Sequence, residues 1–447
     1  MPSPLSHMQQ LRTVLGALDA ERPAISRLLE DGTSDGMPYV ERDDDFQPRL
    51  ELELTSRRGK ARLLVTGQIG VGKSSEVSHF IHVHERSRAD SFQIFCDLEK
   101  EMQPEHCGAA AVLLAIFRDC WSVASSYGGA RHPEKRAIRN ATIEMLVDWL
   151  KGEYKDGRQS VVFRFHGMEY RVSLREESKD TGLLLILGKA ALHQAVSQSA
   201  ERFGLIPDAL LNQLNRLLEW IHKDSRRYPV IFVDHVDKIR DPTAAREVLI
   251  DAFPQWQRLS ASLVMTAPFE YTLGEMRHSV ESRWNPPMMV YPLEIPGPAE
   301  GPIPPVYWKM ALAGGLRGLI REDSLRLLAH YSGGIARYFV QFLRNACIEA
   351  HMSRHETIEP TDCMVVVNRQ LRNYQDYSVR QLELLAEIDE FGTGLGEAAE
   401  LLRSPISLLV QPPTGDKQRI AVHPLALPAL DRFRRKQGGR KVSHGER

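Results

Sequence analysis

Hydrophobic and polar positions along the chain follow two periods, and the places where the period changes predict its elements. Residues 5–29 carry apolar side chains at helical spacing and predict one or two helices, 31–37 is a turn-rich break, and 50–54 reads as a further helix. The period then changes: Arg62 to Thr66, centred on Leu63, Leu64 and Val65, is a short run that suits a buried parallel strand, and 72–83 follows it as a helix. A second strand is expected over Ser91 to Asp97, ending in an acid, with a helix over 109–126. Residues 138–151 look helical, and 161–165 and 168–172 alternate around His166-Gly167 as a hairpin would. An amphipathic helix over 209–222 sets Leu210, Leu211, Leu214, Leu217, Leu218 and Ile221 on one side and feeds an apolar strand over 228–234. A helix over 242–258 and strands over 262–266 and 288–293 follow, then a Pro/Gly-rich linker over 296–305. Beyond it the pattern is helical at 307–320, 323–331 and 335–352. The last segment reads as helices at 381–388 and 397–402 and strands at 406–410 and 419–422 around a Pro-Pro-Thr-Gly-Asp turn. Strands alternating with helices around a parallel sheet make the expected core an α/β fold.

One junction carries chemistry. Directly after the strand at 62–66 the chain reads Gly67, Gln68, Ile69, Gly70, Val71, Gly72, Lys73, Ser74, Ser75, a full match to the phosphate-binding pattern G-x-x-x-x-G-K-[ST]. Gly67, Gly70 and Gly72 let the backbone turn tightly so that successive N–H groups surround phosphate oxygens. Lys73 is placed to reach the β- and γ-phosphates and the Ser74 hydroxyl to bind Mg²⁺, while the following helix offers its N-terminus to the same anion. The strand Tyr228-Pro-Val-Ile-Phe-Val-Asp234 ends in an acid, the form that delivers a carboxylate to the Mg²⁺ shell. Asp237 is the nearest further acid, either a water-orienting group or the cap of the helix that begins near Pro242. His235 reads as a loop residue in preference to a metal ligand or base.

Composition narrows the setting. The chain has 447 residues, 43% of them hydrophobic, enough for two or three domains, and its net charge of −1 gives no global signature of a nucleic-acid binder. Charge is uneven, however: residues 432–447 hold seven Lys or Arg against one Glu, which predicts a solvated, mobile basic tail. Five scattered cysteines without CxxC or zinc spacing fit a reducing compartment. The first residues lack the order of a signal peptide, and an apolar run such as 183–187 is too short for a bilayer, so a cytoplasmic protein without a membrane span is expected. Lys73 and Asp234 are separated by 161 positions, roughly a hundred more than a minimal core needs. Residues 130–200 are therefore read as a structured insertion.

The phosphate loop, the acid strand, Ser262 to Pro268 and Ser332-Gly333-Gly334-Ile335-Ala336-Arg337 together resemble the P-loop ATPases of the AAA+ and STAND group, the initiator type in particular. The resemblance implies an ASCE-class core in which a polar sensor strand lies between the two motif-bearing strands, a helical lid, and Mg-ATP bound where they meet. It assigns Thr266 to the sensor position and Arg337 to the lid arginine over the phosphates. Tyr39, Val40 and Arg42 match a stretch that helps enclose the adenine. Candidate catalytic residues are then Lys73, Asp234, Asp237, Thr266 and Arg337, with Ser74 and Asp234 as metal ligands. Arg277 and Arg283 are candidates by position for an arginine offered to a neighbouring subunit. One departure matters: His235 follows Asp234 where AAA+ ATPases have a glutamate, and the D-x-x-D of Asp234 and Asp237 resembles slow nucleotide-gated switches. The implied domains are an N-terminal helical segment (1–38), the core (39–129 and 201–300), the insertion (130–200), the lid (301–376), a C-terminal α+β unit of winged-helix character (377–431) and the tail. Two functions follow. One is an oligomerising ATP-hydrolysing switch that controls a protein effector, as in bacterial conflict or defence systems. The alternative is a DNA-binding ATPase of initiator, loader or transposition-regulator type, which uses the C-terminal unit and tail on nucleic acid.

Overall fold

The computed structural model describes residues 39–42, 44–86, 90–99, 107–126, 133–149, 153–155, 160–165, 168–173, 208–273, 276–373, 376–391, 401, 407–414 and 417–443, together with Leu15 and Leu18. The helices expected over 5–29, the hairpin turn at His166-Gly167 and the helix at 397–402 lie outside these residues, apart from Leu15, Leu18 and Leu401. Helix α1 (Phe46–Arg57) precedes strand β1 (Arg62–Thr66), and α2 (Lys73–Arg86) leaves the glycine-rich loop. Next come β2 (Ser91–Asp97), α3 (Ala109–Ser126), α4 (Pro133–Trp149) and a small antiparallel sheet of β3 (Glu153–Lys155), β4 (Ser160–Phe165) and β5 (Met168–Ser173). The core resumes with α5 (Asp208–Ser225), β6 (Tyr228–Asp234), β7 (Ser262–Thr266) and β8 (Met288–Met289), the last far shorter than the 288–293 expected.

The main sheet is parallel, in the order β2-β6-β7-β1-β8. Strand β7, which bears Thr266, therefore lies between β1 and β6, the arrangement that the resemblance implies. Both faces are covered, which explains why the strands read as unbroken apolar runs. Leu63, Val65, Val230 and Phe232 pack toward α1 and α2, whereas Leu64, Ile231, Val233 and Leu263 pack toward α3, α5 and the helical stretch 242–257. Each fully buried Leu of α5 contributes roughly 1.5–3 kcal/mol, so its seven-residue buried face suffices to fix it on the sheet. A buried Arg62 closes the bottom of β1 by donating to the carbonyls of Ala61, Trp256, Gln257, Leu259 and Ala261. These include the last two carbonyls of the helix Phe253–Gln257, and burial lowers the Arg62 pKa to about 10.

The lid packs α6 (Pro305–Ala313), α7 (Glu322–Tyr331), α8 (Ala336–Met352) and α9 (Pro360–Asn373) around Phe339, Phe342 and Leu343. The first helix ends at Gly314-Gly315, short of the 320 expected, because Gly315 takes a left-handed φ of 82°. The C-terminal unit holds α10 (Val379–Phe391), an antiparallel hairpin of β9 (Leu408–Thr414) and β10 (Lys417–Val422), and α11 (Leu427–Ser443). Most of the stretch expected as a mobile tail is thus the continuation of α11: Leu430 is buried, and the Arg, Lys and Gln that follow are good helix formers. No described helix is long and apolar enough to cross a membrane.

Candidate functional site

The loop between β1 and α2 takes a positive φ at Gly67, Gly70 and Gly72, and at the first two a side chain would also meet crowding. Gly67 has φ 149°, and a Cβ there would stand 2.3 Å from the Val290 carbonyl oxygen. Gly70 has φ 86°, with Arg337 and Ile335 of the lid 3.0 Å from where its Cβ would be. The loop is also tied by its own carbonyls: Arg337 N–H donates to Gly70 at 3.0 Å and Arg42 Nη1 to Val71 at 2.9 Å. Ile69 is 46% exposed, whereas Gln68 beside it is 1% exposed.

Lys73 opens α2, and its buried ammonium is held from three sides. It pairs with Asp237 at 2.8 Å and donates to the carbonyls of Gly67 at 2.8 Å and Gln68 at 3.1 Å. Burial works against the charge on Asp237, but the ammonium outweighs it and holds that carboxyl below the ordinary carboxylate range. Thr266 Oγ1 donates to the other Asp237 oxygen at 3.4 Å, so the sensor-strand hydroxyl, the second acid and the loop lysine form one chain of contacts. Asp237 does not cap the helix at Pro242; Asp241 does, accepting from Thr243 N–H at 2.9 Å.

Asp234, almost fully buried at the tip of β6, lies beside the Ser74 hydroxyl and accepts from His235 N–H at 2.8 Å. Burial pushes its carboxyl up, against the pull of His235. His235 takes a left-handed φ of 68° and sets Nδ1 2.7 Å from Asp97. Parallel pairing of β2 with β6 aligns Asp97 with Asp234 and makes that contact possible. Burial lowers the imidazole pKa, yet the Asp97 hydrogen bond and nearby carboxylates outweigh it and leave the net shift upward. Asp97 was legible only as an acid at a strand end, and its pairing with His235 needed the sheet order.

The upstream stretch sits against the same loop. Tyr39 stacks on His79 of α2 with ring centroids 3.8 Å apart, and its hydroxyl donates to buried Glu76 at 2.9 Å. Arg42 also donates to the Tyr291 carbonyl and pairs with Asp44 at 2.9 Å, while Val40 packs against the lid core. Glu76, which sequence reasoning passed over, gathers Tyr39 and Gln47 around the first turn of α2; burial raises its pKa. Arg337 places its Cβ and Cδ against Gly70, and its guanidinium has no ion-pair partner among the described residues. Arg277 and Arg283 lie elsewhere, on an exposed short helix and the turn after it, where Arg277 pairs with Glu281 at 2.7 Å and Arg283 donates to the Ser279 carbonyl at 2.9 Å. The structure therefore gathers Lys73, Ser74, Asp234, Asp237, Thr266 and Arg337 around one loop and leaves those two arginines out of it.

The glycine-lined cradle, the N-terminus of a fourteen-residue helix and the Ser74–Asp234 pair fit a nucleotide phosphate with its Mg²⁺. No cluster of three His, Cys, Asp or Glu able to hold a metal alone occurs among the described residues, so the donors present suit a metal shared with phosphate oxygens.

No protein-family model matches the chain, and no curated protein matches it. Among solved structures it is similar to the Aeropyrum pernix ORC1 protein in complex with DNA, at 14% identity and TM-score 0.39 over 92% of this chain and 97% of that one. The Aeropyrum pernix ORC2 protein in its ADP form shows 12% identity and TM-score 0.43 over 92% and 98% of the two chains. Cdc6p from Pyrobaculum aerophilum shows 11% identity and TM-score 0.40 over 95% and 98%.

Proposed function

We propose that the chain is a Mg-ATP-binding ATPase that turns over slowly and acts as a nucleotide-dependent switch on a partner protein. The observation that carries the proposal is the convergence on Lys73: its ammonium lies 2.8 Å from Asp237, which Thr266 also contacts, at the head of a loop tied to the lid through Gly70 and Arg337. In this reading the loop N–H groups, Lys73 and Arg337 hold the phosphates, Ser74 and Asp234 hold Mg²⁺, and Tyr39, Val40 and Arg42 border the base. When bound, the metal neutralises charge on the phosphates. Asp237, engaged with Lys73, orients water only after that pair loosens, which is the physical basis for slow turnover. The division into core, insertion, lid and C-terminal unit is part of the same proposal, as are a homo-oligomer and a protein effector. Neither the fold nor the comparisons support a defence-system role, and none is proposed.

One observation favours a second reading as a DNA-binding ATPase. Arg432, Arg434, Arg435 and Lys436 of α11 are exposed, with Arg434 paired to Asp389, and such a basic helix suits phosphodiester contacts. A steep loss of DNA affinity with rising salt would select that reading.

Two substitutions test the site. Asp234→Ala should weaken Mg²⁺-dependent nucleotide binding about tenfold or more, whereas Asp237→Ala should keep binding and slow single-turnover hydrolysis about tenfold or more. A parent chain that neither binds nor hydrolyses Mg-ATP would remove the proposal.

A further inference from the structure

The phosphate loop is joined to the C-terminal unit through the side chain of Gln68. Its Nε2 donates to the Leu408 carbonyl at 2.6 Å, and its Oε1 accepts Val410 N–H at 3.0 Å. Leu408 and Val410 stand two apart on β9, so these groups emerge from one edge, the edge that the two-stranded β9–β10 sheet leaves open. A carboxamide offers the same donor and acceptor as a peptide unit, so Gln68 fills the place of one residue of a third strand. All three residues are essentially inaccessible to water.

The main chain of the same residue belongs to the phosphate site. Lys73 Nζ donates to the Gln68 carbonyl at 3.1 Å and to that of Gly67 at 2.8 Å while it pairs with Asp237. Opposite ends of Gln68 are thus held by the lysine ammonium and by the edge of β9. A phosphate that draws the ammonium away from these carbonyls acts directly on the peptide units that carry the Gln68 side chain. The hairpin meets the lid as well: His423, which follows β10, contacts the Ser332 carbonyl at 3.3 Å, five residues before the Arg337 N–H that binds Gly70.

We propose that Gln68 is a positioning residue that couples nucleotide binding at the phosphate loop to docking of the β9–β10 hairpin; the proposal rests on reading 67–75 as a Mg-ATP site. Linkage makes the coupling reciprocal, so whatever factor nucleotide imposes on docking, docking imposes on nucleotide affinity.

Hydrogen exchange on the full chain tests this, with calorimetry to measure Mg-ATP binding. Saturating Mg-ATP should change exchange at 408–411 by about fivefold or more. Gln68→Met keeps the length of the side chain and removes both bonds. It should exchange rapidly at these amides with or without nucleotide, and its Mg-ATP affinity should move by about fivefold or more. Absence of Mg-ATP binding by the parent chain would sink the reading of the site and the coupling with it. Binding with unchanged exchange at 408–411, or Gln68→Met binding within about twofold of the parent, would overturn the coupling alone. Should Gln68→Met fail to fold, the exchange measured on the parent decides.

Discussion

The phosphate loop has two flanks built on different principles. Toward the strand tips it is organised by charge: Lys73 on Asp237, Asp234 beside Ser74 and His235. Toward the lid and the C-terminal unit it is organised by main-chain groups: Gly70 to Arg337 N–H, Val71 to Arg42, Leu408 and Val410 to Gln68. The first flank needs particular ionisable side chains at particular positions, so a motif announces it. The second draws mostly on carbonyls and N–H groups that nearly every residue carries, so the chain can build it without leaving a pattern.

The largest expected effect comes from breaking the charged flank. Lys73→Ala should lower Mg-ATP affinity about a hundredfold or more and, by leaving Asp237 unpaired at 13% side-chain exposure, should also destabilise the fold by about 3 kcal/mol. Adding Asp237→Asn should restore stability and leave binding lost. Calorimetry and thermal unfolding separate the two effects, and a Lys73→Ala protein as stable as its parent would show that the pair contributes nothing to folding.

Gly334→Ala breaks the uncharged flank. At φ 76° its Cβ would stand 2.1 Å from the Leu293 carbonyl oxygen, so the lid must shift, at a cost of about 2–3 kcal/mol. Thermal unfolding should show that loss while Mg-ATP affinity falls less than about tenfold, because no charge has moved. A loss of affinity as large as that of Lys73→Ala would mean that the two flanks are not separate.

The last effect is nil at neutral pH and sharpens the contrast only on acidification. Leu425 N–H donates to His423 Nδ1 at 3.1 Å, which requires the neutral ring with its proton on Nε2, facing the Ser332 carbonyl. Burial lowers this imidazole from 6.5 to about 3. The unfolded chain therefore takes up the proton first, and the contribution of His423 is complete above pH 6.5 and declines as pH falls toward 3. Stability should fall by about 1.4 kcal/mol for each pH unit in that window, and His423→Gln should flatten the slope. Equal slopes in both proteins would remove His423 as the source.

What the sequence made legible follows the same division. The parallel core and the order of its motifs were readable because buried strands and the glycine-lysine loop impose residue types. Gln68 occupies a position that the motif leaves free, and its role depends on Leu408 and Val410, some 340 residues away. Helix α9 carries local signals, with Pro360 at its start and Cys363, Val366 and Val367 at helical spacing, although the expected lid helices end at Met352. The basic run after Arg432 suggested solvation, and it hid a helix whose packing residues lie just before it.

Strand β1 has a consequence for how the chain comes to be folded. Among the described residues its strand partners are β7, from Ser262 onward, and β8, at Met288 and Met289, and Arg62 reaches carbonyls between Trp256 and Ala261. The backbone pairing that fixes the first motif-bearing strand therefore comes from some 200 residues further along. During synthesis, at about 5–20 residues per second, the phosphate loop waits many seconds for the strands that will hold it. Contacts of such sequence separation are slow to form, so the ability to bind phosphate should arise late in folding and all at once. A chain stopped short of Ser262 would contain the whole nucleotide motif and lack both strands that pair with the one preceding it.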